Sequence, residues 1–349
     1  MSVPRSFEVR VVEVIEETSD ACSFVLEPAE DEASHFTYRP GQFLTVNVPT
    51  DREAGAARCY SLSSSPALDE KLKITVKRVA DGYASNWLCD HVVAGSTLEV
   101  LKPAGTFTPR GLADDLLLVA GGSGITPAMS ILKSALHEGT ARITLVYANR
   151  DESSVIFRDE LASLARQFPG RLTTIHWLES LQGLPDATQL GELVAALTDR
   201  EVFLCGPPAF MDVAQEALER AGADRRRIHV ERFTSLTGDP FAETEAAPAG
   251  EDDEGGDAPA TVEVELDGEW HTLTWPRGSV LTDVLLDAGL DAPFSCREGN
   301  CSACACVLLE GDVEMRTNNI LEEEDLEDGF VLGCQSIPVT DDVRLSYDE

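Results

Sequence analysis

Residues 296–304 read Cys-Arg-Glu-Gly-Asn-Cys-Ser-Ala-Cys, and a further cysteine, Cys334, follows in Val331-Leu332-Gly333-Cys334-Gln335. The spacing is C-x4-C-x2-C with one remote partner, the ligand spacing of plant-type [2Fe-2S] centres. Soft thiolates suit tetrahedral iron, so Cys296, Cys301, Cys304 and Cys334 are the expected metal ligands. Gly299, Ser302 and Ala303 are small enough for the loop to wrap closely and turn its amides toward the sulfurs. A four-cysteine zinc site is the rival reading. Structural zinc sites usually begin with pairs two to four residues apart, which this run fits poorly. Cys306 shares a face with Cys304 in a regular strand, so geometry alone leaves it a possible ligand. Four ligands are complete without it, and it reads as buried filler.

Around this loop, residues 262–266 alternate, Gly268 turns the chain, and 270–275 return as a second strand. Residues 280–286 supply a helix face, and 307–309 and 343–347 add strands. This unit, 261–349, holds 21 acidic residues against four arginines, a net charge of −17. Before it, residues 239–257 contain eight acidic residues and no Lys or Arg. The segment 234–260 therefore reads as a self-repelling, extended linker.

The N-terminal 1–110 reads as short strands at 7–14, 21–26, 42–48, 59–62 and 73–78, broken by turns such as Arg39-Pro40-Gly41. A small antiparallel barrel is the economical fold, because closure removes exposed edges. Arg58-Cys59-Tyr60-Ser61 sits on one of these strands. Its arginine can hold a pyrophosphate, its tyrosine can stack on a flat ring system, and its serine can hydrogen-bond a ring nitrogen. Taken alone, Tyr60 is as readily a core tyrosine. Val76, Lys77, Gly82, Tyr83, Ala84 and Ser85 follow. Gly82 allows a tight turn that brings amides to phosphate, and Ser85 is placed to cap a helix over 85–91.

Residues 111–233 change character. Brief apolar strands at 116–120, 143–147, 172–177, 202–204 and 228–230 alternate with helical patterns, among them Ile156, Phe157, Leu161 and Leu164. Such alternation implies a parallel sheet covered on both faces. The first strand runs into Gly121-Gly122-Ser123-Gly124-Ile125-Thr126-Pro127. Its glycines allow a dinucleotide to approach the backbone, and a helix N-terminus follows. A tight turn would explain the same glycines. Cys205-Gly206-Pro207-Pro208 follows the strand at 202–204.

The chain of 349 residues carries a formal charge of −35. That excludes nucleic-acid and anionic-lipid binding as main functions and favours a partner with a positive docking face. The N-terminus lacks the apolar region of a secretory signal, and no run is long enough to span a membrane. Nine cysteines, five of them near the C-terminus, suit a reduced compartment with metal-binding thiolates. A cytoplasmic protein without membrane insertion is expected.

These motifs resemble the ferredoxin–NADP reductase superfamily, and within it the reductase components of oxygenases that carry a C-terminal ferredoxin domain. The likeness spans the chain apart from the acidic linker. It implies a multidomain fold: an antiparallel β-barrel for FAD, an α/β parallel-sheet nicotinamide domain and a β-grasp [2Fe-2S] domain. It also implies that residues 58–61 and 82–85 bind FAD, and that Gly121, Gly122, Gly124 and Thr126 form the pyridine-nucleotide loop. Cys205, with Gly206 and Pro207, would lie beside the reacting rings and orient the hydride, and Phe233 would gate nicotinamide access. Ser61, Cys205 and Phe233 are thus the expected catalytic residues. Glu179, after the third parallel strand, favours the ribose diol of NADH, with Arg150 as counter-evidence. The implied sequence is NADH to FAD to [2Fe-2S] to a terminal Rieske-type oxygenase. The stretches KITVKRV, GYASNWLCD and FSCREGNCSACACVLLEGDVEMRTNNIL are particularly similar to reductases of 3-ketosteroid 9α-hydroxylation in sterol breakdown. Reductases of phenylacetyl-CoA epoxidation share every redox motif. A non-catalytic redox carrier is an alternative of another class. A self-sufficient oxygenase would need iron ligands that the six histidines do not form.

Overall fold

A computed structural model describes residues 6–50, 56–241 and 258–348. It contains three main sheets, each with its own core.

In the first, β1 (Phe7–Thr18), β2 (Ala21–Pro28), β3 (Phe43–Val46), β4 (Arg58–Ser61), β5 (Leu72–Lys77) and β6 (Thr97–Val100) are ordered β4-β3-β6-β1-β2-β5. An antiparallel bridge between Leu62 and Ile74 joins the two ends, as barrel closure requires. Alternation does the sorting: Phe7, Val9 and Val11 point inward while Glu8 and Arg10 face out. The strand β6 was not read from the sequence, because Thr97-Leu98-Glu99-Val100 offers only two apolar residues. Helix α1 (Tyr83–His91) closes one end with Ala84 and Leu88.

The second sheet is parallel. It comprises β7 (Leu116–Gly121), β8 (Ile143–Asn149), β9 (Leu172–Leu178), β10 (Glu201–Cys205) and β11 (Ile228–Glu231), in the order β11-β10-β7-β8-β9. The central strands β7 and β8 are buried throughout, which explains the unbroken apolar run of β7 and the mostly apolar one of β8. Helices α2 (Ile125–Glu138) and α3 (Arg158–Gln167) cover one face. The very short α4 (Glu179–Gln182) follows β9, and α5 (Ala187–Val194) and α6 (Pro208–Ala221) cover the other face. The helical spacing read from Ile156 and Phe157 is corrected here. Phe157 has φ 60° and precedes α3, so both residues plug the core from the turn.

The third sheet runs β13-β12-β18-β14-β16, with β12 (Ala260–Leu266), β13 (Glu269–Trp275), β14 (Ala305–Glu310), β16 (Phe330–Leu332) and β18 (Asp342–Ser346). A side pair joins β15 (Val313–Met315) to β17 (Ser336–Pro338). The sheet grasps α7 (Leu281–Asp287) through Val262, Val264, Trp275, Leu281, Leu285 and Leu345. Acidic α8 (Glu323–Glu327) lies just before β16.

The barrel and the parallel sheet share a polar seam. Ser65 Oγ lies 2.8 Å from Ser134 Oγ, and Ser130 Oγ donates to the Ser64 carbonyl at 2.6 Å. Lys133 on α2 is almost fully buried and pairs with Asp69 at 2.5 Å and Glu160 at 3.1 Å.

Candidate functional site

The four cysteines of the C-terminal motif converge. Cys296 N–H points to Cys301 Sγ, and Cys334 N–H to Cys304 Sγ, each at 3.4 Å. The amides of Glu298 and Asn300 approach Cys296 Sγ at 3.4 and 3.3 Å, and Gln335 Nε2 reaches Cys334 Sγ at 3.5 Å. The loop wraps this tightly because Arg297, Gly299 and Ser302 all take positive φ, at 59°, 75° and 51°. Gly299 is also pressed against Thr317, whose carbonyl would lie 2.8 Å from an added Cβ. Crowding of sulfurs shows in their acidities. Contact with Cys301, then with Cys334, holds Cys296 at about 2, while contact with Cys296 pushes both of those thiols up.

Among the described residues no group of His, Cys, Asp or Glu is arranged around a single ion. The sulfurs form two amide-linked pairs, a donor set that fits a two-iron cluster. Cys306 stands apart in the core between strands, its Sγ 3.9 Å from the Val331 carbonyl, as its reading as filler anticipates.

On the barrel, β4 carries Arg58, Cys59, Tyr60 and Ser61 in register with Val46, Thr45, Leu44 and Phe43 of β3. The Arg58 guanidinium donates to the carbonyls of Ala57 and Leu236 at 2.6 and 3.2 Å. Tyr60 packs against the barrel core, and burial pushes its phenol up. Ser61 is buried. Val76 is a core residue of β5, and Lys77 beside it reaches toward Asp20 at 3.9 Å. The expected cap differs in detail. Gly82 occupies the N-cap of α1, whereas Ser85 lies within the first turn and its Oγ accepts from Val79 N–H at 3.1 Å. A helix start at Tyr83 leaves Ser85 too far in to cap, so its hydroxyl secures the preceding turn. Tyr83 OH donates to the Pro49 carbonyl at 2.7 Å, and Ala84 is buried.

The glycine loop and the Cys205-Gly206-Pro207 loop are packed back to back. A Cβ on Gly124 would lie 2.1 Å from the Cys205 carbonyl oxygen and 2.7 Å from Gly206 N. One on Gly121 would meet Phe210 at 2.7 Å and Pro207 at 3.0 Å. These glycines are therefore required by the approach of β7 to β10, apart from any ligand. Gly122 takes φ +52°, accepts from Tyr147 OH at 3.1 Å and lies next to Lys77 Nζ. The barrel motif and the glycine loop thus share one neighbourhood. Thr126 Oγ1 turns to the Ser123 carbonyl at 3.0 Å, and Pro207 is the N-cap residue of α6.

Cys205 is buried, and burial followed by the nearby Glu231 raises its thiol. Glu231 is the register partner of Cys205 at the end of β11. The residue is half-buried and lines a groove, and desolvation pushes its carboxyl up to about 8. The sequence reading passed over Glu231. The available signal was an acid closing an apolar edge strand beside Phe233. Phe233 itself is 45% exposed. Arg150, the residue that argued for NADPH, pairs with Asp20 of the barrel at 2.7 Å. Glu179 opens the short α4 immediately after β9.

The ferredoxin loop is not free. Thr45 Oγ1 lies 2.6 Å from Ser295 Oγ, Thr106 Oγ1 2.9 Å from Ser302 Oγ, and Lys102 pairs with Asp291. Thr237 donates to Glu298, and Leu236 is buried with Ala57 and Cys296. One side of the loop around the cysteines faces the barrel. The expectation of a free linker is corrected in part: within 234–241, Leu236 and Pro240 are buried and Thr237 bonds Glu298, while the other residues stay largely exposed; 242–257 lie outside the described residues. The acidic run 322–328 lines a groove of about 740 Å³ opposite Arg225 and Arg226. Asp224 chiefly raises the Arg226 guanidinium, and Glu324 and Asp328 add to it.

The chain matches the oxidoreductase FAD-binding domain over 8–108, the oxidoreductase NAD-binding domain over 118–216 and the 2Fe-2S iron-sulfur cluster binding domain over 264–339. It is 56% identical over 345 residues to the ferredoxin reductase component of 3-ketosteroid-9-alpha-monooxygenase from Mycolicibacterium smegmatis, covering 98% of this chain and 97% of the relative. One of the subunits of 1,2-phenylacetyl-CoA epoxidase from Escherichia coli is 35% identical over 363 residues, covering 97% and 96%. The solved phthalate dioxygenase reductase, a modular structure for electron transfer from pyridine nucleotides to [2Fe-2S], matches with TM-score 0.58 and 25% identity over 98% of both chains. No described helix is long and apolar enough to cross a membrane. The chain is an oxidoreductase with FAD, NAD and [2Fe-2S] domains, and it belongs to the family of the 3-ketosteroid-9-alpha-monooxygenase ferredoxin reductase components.

Proposed function

We propose that this chain takes electrons from NADH and passes them to a separate Rieske-type oxygenase that 9α-hydroxylates 3-ketosteroids in the cytoplasm. The observation that carries the reading is the convergence of three motifs: Lys77 beside Gly122, Cys205 against Gly124, and the cysteine loop against β4. When bound, FAD would supply hydride acceptance and single-electron release, and the cluster would supply one-electron transfer.

Arg58 and the amides at the start of α1 would hold the flavin pyrophosphate, with Gly82, Tyr83, Ala84 and Ser85 forming the turn. Tyr60 would support the ring, and Ser61 would hydrogen-bond it. Gly121, Gly122, Gly124 and Thr126 leave room for the NADH diphosphate. Cys205, Gly206 and Pro207 would seat the nicotinamide, and Phe233 would cover it. Glu231, its carboxyl raised by desolvation, would limit negative charge beside Cys205, where the nicotinamide would sit. Cys296, Cys301, Cys304 and Cys334 would hold the cluster.

NADH is preferred because Arg150 is engaged by Asp20 while Glu179 favours a ribose diol. The steroid assignment rests on the greater likeness to the 3-ketosteroid relative than to the epoxidase relative. The test is reconstitution with the host's candidate oxygenase. Formation of the 9α-hydroxysteroid with NADH supports the assignment. Product only from an aromatic-CoA substrate and its epoxidase rejects the steroid pathway.

A further inference from the structure

We propose that Ser295, Thr45 and Cys59 form a positioning junction that sets the cysteine loop against the flavin strand for electron transfer within the chain. This deepens the functional reading and rests on it, since it takes β4 as the flavin strand.

Thr45 and Ser295 are fully buried at the meeting of two domains, 0% and 1% exposed, and their hydroxyls lie 2.6 Å apart. Cys59 Sγ completes a triangle, 3.6 Å from each. Buried hydroxyls are costly unless paired, and here the pairing crosses between domains. Position explains why these three residues matter. Thr45 and Cys59 are a cross-strand pair on β3 and β4, so their side chains share one face. Cys59 stands between Arg58 and Tyr60, turned away from them by strand alternation. Ser295 immediately precedes Cys296. The triangle therefore joins the strand of one redox motif to the first cysteine of the other through a single layer of side chains.

The flanking apolar contacts are small. Phe43 and Ala104 meet Ala303 on one side, and Ala57 and Leu236 meet Cys296 on the other. Small apolar patches bring two domains together without fixing their register. Directional hydrogen bonds fix it. In the step it would serve, one electron would pass from reduced flavin to the oxidised cluster; no bond between heavy atoms would form or break, and any proton the flavin then loses would go to solvent.

The test uses the holoprotein and three variants: Ser295→Ala, Thr45→Val and Thr45→Ser. Stopped-flow with NADH separates flavin reduction from cluster reduction. Electron paramagnetic resonance records the cluster, and hydrogen exchange records the amides of 58–61 and 295–301. Losing a buried hydrogen bond should lower the docked population, and with it the cluster-reduction rate, by about fivefold in Ser295→Ala and Thr45→Val. Exchange at both segments should rise. Flavin reduction and the cluster spectrum should hold, and Thr45→Ser should recover the rate. Unchanged cluster reduction and exchange in Thr45→Val would overturn the proposal. So would a slowed rate accompanied by an altered cluster spectrum, which would make Ser295 a tuner of the cluster. If Ser295→Ala loses its cluster, the barrel-side pair Thr45→Val and Thr45→Ser still decides. Failure of NADH to bleach any flavin in the unsubstituted chain would reject the functional reading instead.

Discussion

Glu231 shows how a single partly desolvated group ties the fold to the chemistry. Desolvation raises its carboxyl to about 8, whereas in an unfolded chain it ionises near the ordinary 4.5. Its contribution to stability is therefore full below that ordinary value and is lost as pH rises through about 8. Denaturation midpoints should fall over that interval in the natural chain and fall less in Glu231→Gln. The rate of flavin reduction by NADH should drop as pH passes about 8 and stay flat in the Gln variant, since ionisation places negative charge beside Cys205. A flat natural profile would remove Glu231 from the site.

Cys334→Ser is the complementary substitution. Cys334 is the remote member of the four-sulfur set, so iron and sulfide should be lost. Flavin reduction should stay within about twofold, because the hydride site lies on other domains. Stopped-flow bleaching together with iron analysis measures both.

The coenzyme question also belongs to single residues. The ratio of kcat/KM should favour NADH, and Asp20→Ala, which frees Arg150, should narrow that preference.

At the scale of elements, the sequence was most informative where physics leaves one reading. Strands β7 and β8 were legible because a strand buried on both faces is mostly apolar. The cysteine loop was legible because sulfur spacing reports ligation directly. Strand β6 and helix α5 were not read, since each is short and depends on its neighbours for its definition. The same limit applied to Ser85. Its hydroxyl could serve helix or turn, and only the start of α1 at Tyr83 decides between them. Nor could a linear reading find Thr45 and Ser295, 250 positions apart and brought together only by domain packing.

The seam between barrel and parallel sheet gives a prediction of its own. Lys133 is 3% exposed and bridges Asp69 and Glu160, whose side chains are 30% and 33% exposed. Removing it leaves two partly exposed carboxylates, of which Glu160 keeps Lys73 at 3.3 Å and Asp69 keeps the Ser65 N–H at 2.6 Å. Lys133→Ala should cost about 2 kcal/mol, less than a fully buried broken pair, measurable by chemical denaturation. Lys133→Met, with similar volume, should recover little of that loss, because the two carboxylates remain.

For the whole molecule, charge and arrangement act together. The C-terminal unit at −17 creates a negative field that speeds encounter with a cationic partner and shortens in reach as salt is added. In the arrangement seen here one side of the cysteine loop packs on the barrel while Arg297, Cys301 and Ser302 stay half-exposed, and acidic residues of the run 322–328 face Arg225 and Arg226 across a groove. Salt should have two effects. It should slow encounter with the oxygenase, and it should screen the longer-range attraction of Arg226, itself paired with Asp224, toward Glu324 and Asp328. Oxygenase reduction should fall with ionic strength, while flavin reduction followed separately should not. Arg226→Glu should raise the rate at low salt. A transfer rate indifferent to salt would reject electrostatic docking and leave the electron route within the chain untouched.

That route is tested most directly by anaerobic titration of the purified protein with NADH, with flavin, iron and sulfide counted on the same sample. One FAD per chain, iron and sulfide in equal amounts at twice the flavin, and an electron paramagnetic resonance signal of a reduced [2Fe-2S] cluster appearing as the flavin is reduced are the predicted results. Zinc in place of iron, absence of flavin after careful preparation, or a bleached flavin with no cluster signal would contradict it.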